Sequence, residues 1–178
     1  MIDRSAHRRG FSGIEILVVL SVMATLASMS MPMLLTAMRR ARIHDASNAI
    51  VEVSSQARRL AKRSAYGSDW YGVVISNQTT PRYVALTRNG SVMMEGATPV
   101  SKLTISPNVI VYDGAAPLVD GSARSSWMYQ QRSALPILVA SPTAPNVSIL
   151  GLVLQTMDGR MRSAIDVYSV GLVNVQDL

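Results

Sequence analysis

Few side chains in this sequence could carry chemistry. Histidine occurs only at His7 and His44, and cysteine is absent. His44 stands among polar neighbours, and no Ser/His/Asp set can be drawn that does not rest on it alone. Without thiols and with so few imidazoles, no zinc-type ligand cluster can be assembled. Asp113 and Asp120 flank a glycine-containing stretch. Calcium takes about 6–8 oxygen ligands, so two separated aspartates read as turn residues. No glycine-rich phosphate loop stands out, and Gly171 lies in a β pattern. These residue types predict a protein that is not an enzyme and holds no cofactor or metal.

Three other sets call for an explanation. Trp127 and Tyr129 lie close to Arg124 and Arg132. Aromatics beside arginine can anchor a partner or stack on single-stranded nucleic acid. The plainer alternative is that both rings tuck onto a sheet. Arg58, Arg59, Lys62 and Arg63 cluster at a helix end, where cations complement the helix dipole. An acidic partner or a nucleic-acid backbone is the functional alternative there. The third is Glu15, in the stretch RRGFSGIEILVVL at residues 8–20. A charge at a bilayer centre costs roughly 2.5–3.5 kcal/mol, and less near an edge, so a carboxylate at the head of such a run needs a reason.

The elements that would position these residues differ sharply in texture. Residues 16–38 contain no charged side chain, and about 20 apolar residues in a helix cross a bilayer core. Arg4, Arg8 and Arg9 precede the run, and Arg39, Arg40 and Arg42 follow it. The positive-inside argument for orientation is therefore weak. The run is longer than a secretory signal core and lacks a terminal Ala-x-Ala cleavage pattern. Beyond it, Ile43, Ala46, Ile50, Val53, Ala57 and Leu60 recur at spacings of three and four, which predicts an amphipathic helix. One helix over about 12–65 is expected, kinked at Pro32 and ended near residues 66–68.

From residue 66 onward short β-rich runs alternate with turn residues. Strands are predicted at 70–76, 82–88, 91–95, 102–105, 108–112, 135–140, 147–157, 160–168 and 171–175. Asn89-Gly90 and Asp158-Gly159 read as hairpin turns, and residues 113–133 as a long exposed loop. Val84 and Leu86, and likewise Ile165 and Val167, should face a core. The predicted fold class is α+β, a long N-terminal helix packed on an antiparallel β-sheet domain. Its segments are 1–10, 11–38, 39–65 and 66–178.

A basic leader ending in Gly10, then Phe11, then Glu15, then an apolar helix with Pro32 resembles the class III signal of type IV prepilins and type II secretion pseudopilins. The match spans residues 4–32 closely. It departs from the usual pattern only at Ser12-Gly13-Ile14, where Thr-Leu-Ile or Ser-Leu-Ile is commoner. The resemblance implies cleavage between Gly10 and Phe11 by a prepilin peptidase and N-methylation of Phe11. It makes Glu15 the fifth mature residue and Pro32 the twenty-second, where a kinking proline is common. The new α-amine, with an unperturbed pKa of about 7.7–8.0, would meet Glu15 of a neighbouring subunit. Each charge is costly alone in apolar surroundings and tolerable when paired.

The C-terminal run, Asp-Gly turn and closing strand resemble GspH/FimT-type minor pseudopilins. The implied function is a structural subunit of a type II secretion pseudopilus for protein export. A major or minor type IV pilin is the alternative. The implied location is the bacterial inner membrane, single-pass with a periplasmic domain, and then a filament. The implied partners are the peptidase, other pilins or pseudopilins through their N-terminal helices, an inner-membrane assembly platform, and lipid before extraction. Loss of the leader removes three of 17 basic residues and one of 11 acidic ones, leaving 14 against 10, or +4. Nucleic acid is thus an open partner that the charge does not demand. An uncleaved, single-pass anchored domain of unrelated function is the remaining rival.

Overall fold

The structure, a computed structural model, describes residues 12–64, 69–122, 125–129, 136–138, 150–168 and 172–178. Helix α1 (Gly13–Arg63) is continuous through Pro32. The chain divides into two compact units, Met1–Met38 and Arg39–Leu178. The fold class is α+β: one long N-terminal helix with an apolar stretch, and antiparallel sheets that it contacts.

In the second unit, α1 buries Ile43, Ala46, Ser47, Ala49, Ile50, Val53, Ser54, Ala57 and Ala61. These positions follow the three-and-four spacing that a helix needs to present one face. Six of the nine are Ala or Ser, so the helix backbone can lie close to the strands beneath it. Ser54, buried, donates its hydroxyl proton to the Ile50 carbonyl at 2.6 Å, and so needs no water.

The first sheet contains β1 (Tyr71–Ser76), β2 (Tyr83–Arg88), β3 (Ser91–Val92), β6 (Lys102–Thr104), β9 (Ser126–Tyr129) and β10 (Pro136–Leu138). Its order is β10-β9-β1-β2-β3, with β6 also on β2. The second sheet contains β7 (Val109–Asp113), β8 (Ala116–Pro117), β11 (Leu150–Thr156), β12 (Arg162–Val167) and β13 (Val173–Asp177), in the order β13-β12-β11-β7-β8. A separate hairpin joins β4 (Met94–Glu95) to β5 (Thr98–Pro99). All pairings are antiparallel among the described residues.

One apolar core draws on the helix and on both sheets. Val73, Ile75, Val84 and Leu86 enter it from the first, and Val109, Val111, Leu152, Leu154, Ile165 and Val167 from the second. Register explains the alternation. Val73 pairs with Leu86 and Ile75 with Val84, so all four share the inward face that period-two geometry dictates.

The Asn89-Gly90 turn has positive φ at both residues, 53° and 83°, as a two-residue type I′ hairpin requires. The Asn89 side chain also accepts the Trp70 N–H at 2.8 Å, fixing the start of β1.

Two expectations need correction. Residues 91–95 form two short strands rather than one, because Ser91 and Val92 pair with β2 whereas Met94 and Glu95 turn to pair with β5. Residues 113–133 are not one exposed loop. They contain β8 and β9, and β9 pairs with both β1 and β10. β9 enters where Gly72 opens space: a Cβ on Gly72 would stand 2.4 Å from the Trp127 carbonyl oxygen.

Candidate functional site: the amino-terminal helix

Within the first unit, α1 is exposed along the described residues 13–38. Fifteen large apolar side chains between Ile14 and Met38 are exposed, from Leu35 at 41% to Met33 at 80%. A soluble monomer rarely leaves a contiguous apolar patch beyond a few hundred Å² open to water. This segment is long and apolar enough to cross a membrane, and lipid or other apolar helices could cover it.

Its hydroxyls are satisfied within the helix, as are those of Ser47, Ser54 and Ser55 farther along. The segment carries five hydroxyls, on Ser21, Thr25, Ser28, Ser30 and Thr36. Each donates to a helix carbonyl three or four residues back: Val18, Val22, Thr25, Leu26 and Pro32, at 2.7–2.9 Å. Such back-bonding leaves no hydroxyl proton unmade, which matters most where solvent cannot replace the bond.

Glu15 closes the helix start. The Ser12 N–H donates to its carboxylate at 2.8 Å, and the Glu15 N–H faces the Ser12 hydroxyl oxygen at 3.4 Å. This is a capping box, in which the carboxylate satisfies the Ser12 N–H while the Glu15 N–H also bonds the Ser12 carbonyl at 3.0 Å. The S-x-x-E spacing of residues 12–15 is its sequence signal, and a reading of Glu15 as a partner for a cation passes over it. The carboxylate still keeps one oxygen and further lone pairs for a second donor. Gly10 and Phe11, the proposed cleavage pair, lie outside the described residues.

Pro32 sits inside the helix and lacks the N–H that would serve the Ser28 carbonyl. The Ser28 hydroxyl turns to Thr25, and Thr36 bonds the Pro32 carbonyl, so the local side-chain bonds do not compensate for that missing donor.

The aromatic-arginine set is placed otherwise than as a docking loop. Trp127 and Tyr129 are fully buried in the core, on the face of β9 that pairs with Val73 and Tyr71. The Trp127 ring N–H donates to the Tyr129 hydroxyl at 3.2 Å. Burial pushes the Tyr129 phenol up from its ordinary value, and the Trp127 ring N–H works in the opposite direction. Neither ring has surface to offer a partner. Their short strand lies among Gly and Ser, which masks its β pattern. Arg124 and Arg132 lie outside the described residues.

Asp120 is a structural acceptor. Its carboxylate takes the Ser76 hydroxyl at 2.6 Å, the Asn77 N–H at 2.5 Å and the Gln78 N–H at 3.1 Å. It thereby holds Asn77, whose side chain bridges the two sheets. The Asn77 amide donates to the carbonyls of Val111 and Leu118 at 3.2 and 3.0 Å, and its oxygen accepts the Val111 N–H at 3.1 Å. Among the described residues no group of three or more His, Asp or Glu side chains is placed to hold a metal.

No protein-family model matches the chain, and no curated protein or solved structure does either. The architecture, an N-terminal apolar helix whose later turns pack on antiparallel sheets, is pilin-like.

Proposed function

We propose that this chain is a filament subunit of the pilin class, inserted in a membrane through residues 13–38 and later assembled through the same helix. The observation that carries the reading is the uncovered apolar run, whose five hydroxyls are all internally bonded. A helix of this kind is stable in lipid. Copies of the same helix would also remove these side chains from water.

Processing would occur between Gly10 and Phe11, leaving a methylated α-amine on Phe11. Glu15 of one subunit would pair with that amine on a neighbour and set the stagger between them, while the apolar surface supplies the packing. A minor pseudopilin of a type II secretion system, exporting proteins from the periplasm, is the subtype we favour. A major or minor type IV pilin is the second reading. The test is the intact mass of the chain recovered from membranes that contain a prepilin peptidase. A start at Phe11 with one added methyl group is expected. A chain still starting at Met1 or Ile2 would overturn the proposal.

A further inference from the structure

The second unit carries a groove of about 190 Å³ whose rim is basic. Arg40 and His44 of α1 line one side and Arg160 and Arg162 the other, with Ile43 and Met161 adding apolar surface. The three guanidinium groups form no ion pair and donate no hydrogen bond among the described residues. Asp177 and Leu178 also share the lining, so at most two positive charges are in excess.

An ion pair lies beside the groove in sequence, at the residues next to Arg40 and near Arg160. Arg39 bonds Asp158 at 2.6 Å, which ties the turn between β11 and β12 to the helix. Thr156 and the Arg160 N–H also bond the Asp158 carboxylate, at 2.6 and 3.3 Å. Arg160 is thus presented from a braced turn. His44 is oriented too: Asn48 lies 2.9 Å from its Nδ1. With the Asn48 amide donating there, the neutral ring carries its proton on Nε2 and has a donor left to give.

We propose that this groove takes the phosphate of an anionic phospholipid. Three forked donors and an imidazole suit a phosphate, and the apolar surface suits the glycerol end of a lipid. Arg40 follows Met38, the last residue of the apolar run, by two residues of helix, about 3 Å of rise. The headgroup layer on each side of a bilayer core is roughly 5–8 Å deep, so a chain that spans a membrane brings Arg40 to phosphate depth. The inference rests on the membrane reading above. It also gives a role to the basic residues that blur the charge asymmetry across the apolar run.

The test uses the full chain in detergent, with native mass spectrometry after addition of equal amounts of phosphatidylglycerol and phosphatidylcholine. A preference for phosphatidylglycerol of tenfold or more is expected. Each of Arg40→Gln, Arg160→Gln and Arg162→Gln should reduce it about five-fold, as expected for one basic residue near an anionic surface. The triple variant should bring it near parity, and Arg59→Gln with Arg63→Gln should leave it unchanged. Equal binding of the two lipids, a preference that survives the triple variant, or competition by inorganic phosphate at the same concentration would overturn the proposal. So would a dimer of the chain that takes up no lipid. The wild-type chain is also tested for entry into lipid nanodiscs. Failure to enter overturns the membrane reading, whereas entry without a lipid preference overturns this inference alone.

Discussion

Replacing Asn77 by alanine should weaken the polar seam between the two sheets. The side chain is nearly buried, and it makes three hydrogen bonds, two to carbonyls and one from the Val111 N–H. The alanine variant takes this partner from the Val111 N–H and the Leu118 carbonyl, whereas the Val111 carbonyl keeps the Leu118 N–H at 2.8 Å. A typical bond contributes about 1 kcal/mol net, and a buried orphan costs about 1–3, so the loss should be about 3 kcal/mol. For a unit of about 140 residues, with an unfolding entropy of about 2.1 cal/mol/K per residue, that loss lowers the melting temperature by about 10 °C. Trp127 is fully buried, so its emission in the detergent-solubilised full chain reports the unfolding. The aspartate variant refines the test. Its carboxylate would face the Val111 and Leu118 carbonyls, which favours the protonated form in the folded state. The folded pKa then lies above the unfolded value of about 3.9. The protonated form is favoured most below that unfolded value, and its advantage is lost as pH rises through the folded value. Asn77→Asp should therefore be at least as destabilised as Asn77→Ala at pH 7, and should recover toward wild type near pH 4. An alanine variant that melts within 1 °C of wild type would refute the reasoning.

Further outcomes follow from the same geometry. Gly72→Ala places a Cβ against the Trp127 carbonyl oxygen, which has backbone on both sides and cannot swing away. A loss of about 2–3 kcal/mol and a red shift of the Trp127 emission are expected, and unchanged emission would argue against the packing. The Thr156 hydroxyl, then the Arg160 N–H and the nearby Arg39 guanidinium, hold the Asp158 carboxyl below the usual carboxylate range. That contribution to stability is present above the unfolded carboxyl value and is lost as pH falls through the depressed folded one. Thr156→Val should raise the Asp158 titration midpoint measured by NMR, and an unmoved midpoint would remove the hydroxyl as its main cause. Ser12→Ala removes one half of the capping box and should weaken the first helical turn by about 1 kcal/mol, seen as faster amide exchange at Glu15 and Ile16.

Much of this architecture is legible along the chain, for physical reasons that differ by element. The stripe from Ile43 to Ala57 shows in the sequence because helical spacing is local, and the buried face follows it. The Asn-Gly turn shows because few residues accept two consecutive positive φ values. Burial at Ile165 and Val167, alternating with Ala164 and Asp166, shows because strand periodicity is two. What stays hidden depends on distant partners. Asn77 and Asp120 are 43 residues apart, and nothing near either residue marks it as half of a junction. β9 is four residues long, shorter than its period needs to declare itself, and its identity comes from Gly72 on another strand. Glu15 is visible as an anomaly, yet its bond to Ser12 and its proposed bond to a neighbour's amine draw on the same side chain. The sequence pattern alone cannot rank them.

Glu15→Gln separates those two roles. Glutamine keeps the capping geometry, because its amide oxygen can still accept the Ser12 N–H, but it carries no charge to meet a cation. The decisive measurement is the yield of filaments from this variant, alongside an intact mass showing that the leader was removed and Phe11 methylated. The account predicts processed, membrane-resident subunits and no filaments. Filaments at wild-type yield from correctly processed Glu15→Gln would show that Glu15 acts only as a helix cap, and would contradict assembly through an intersubunit charge pair.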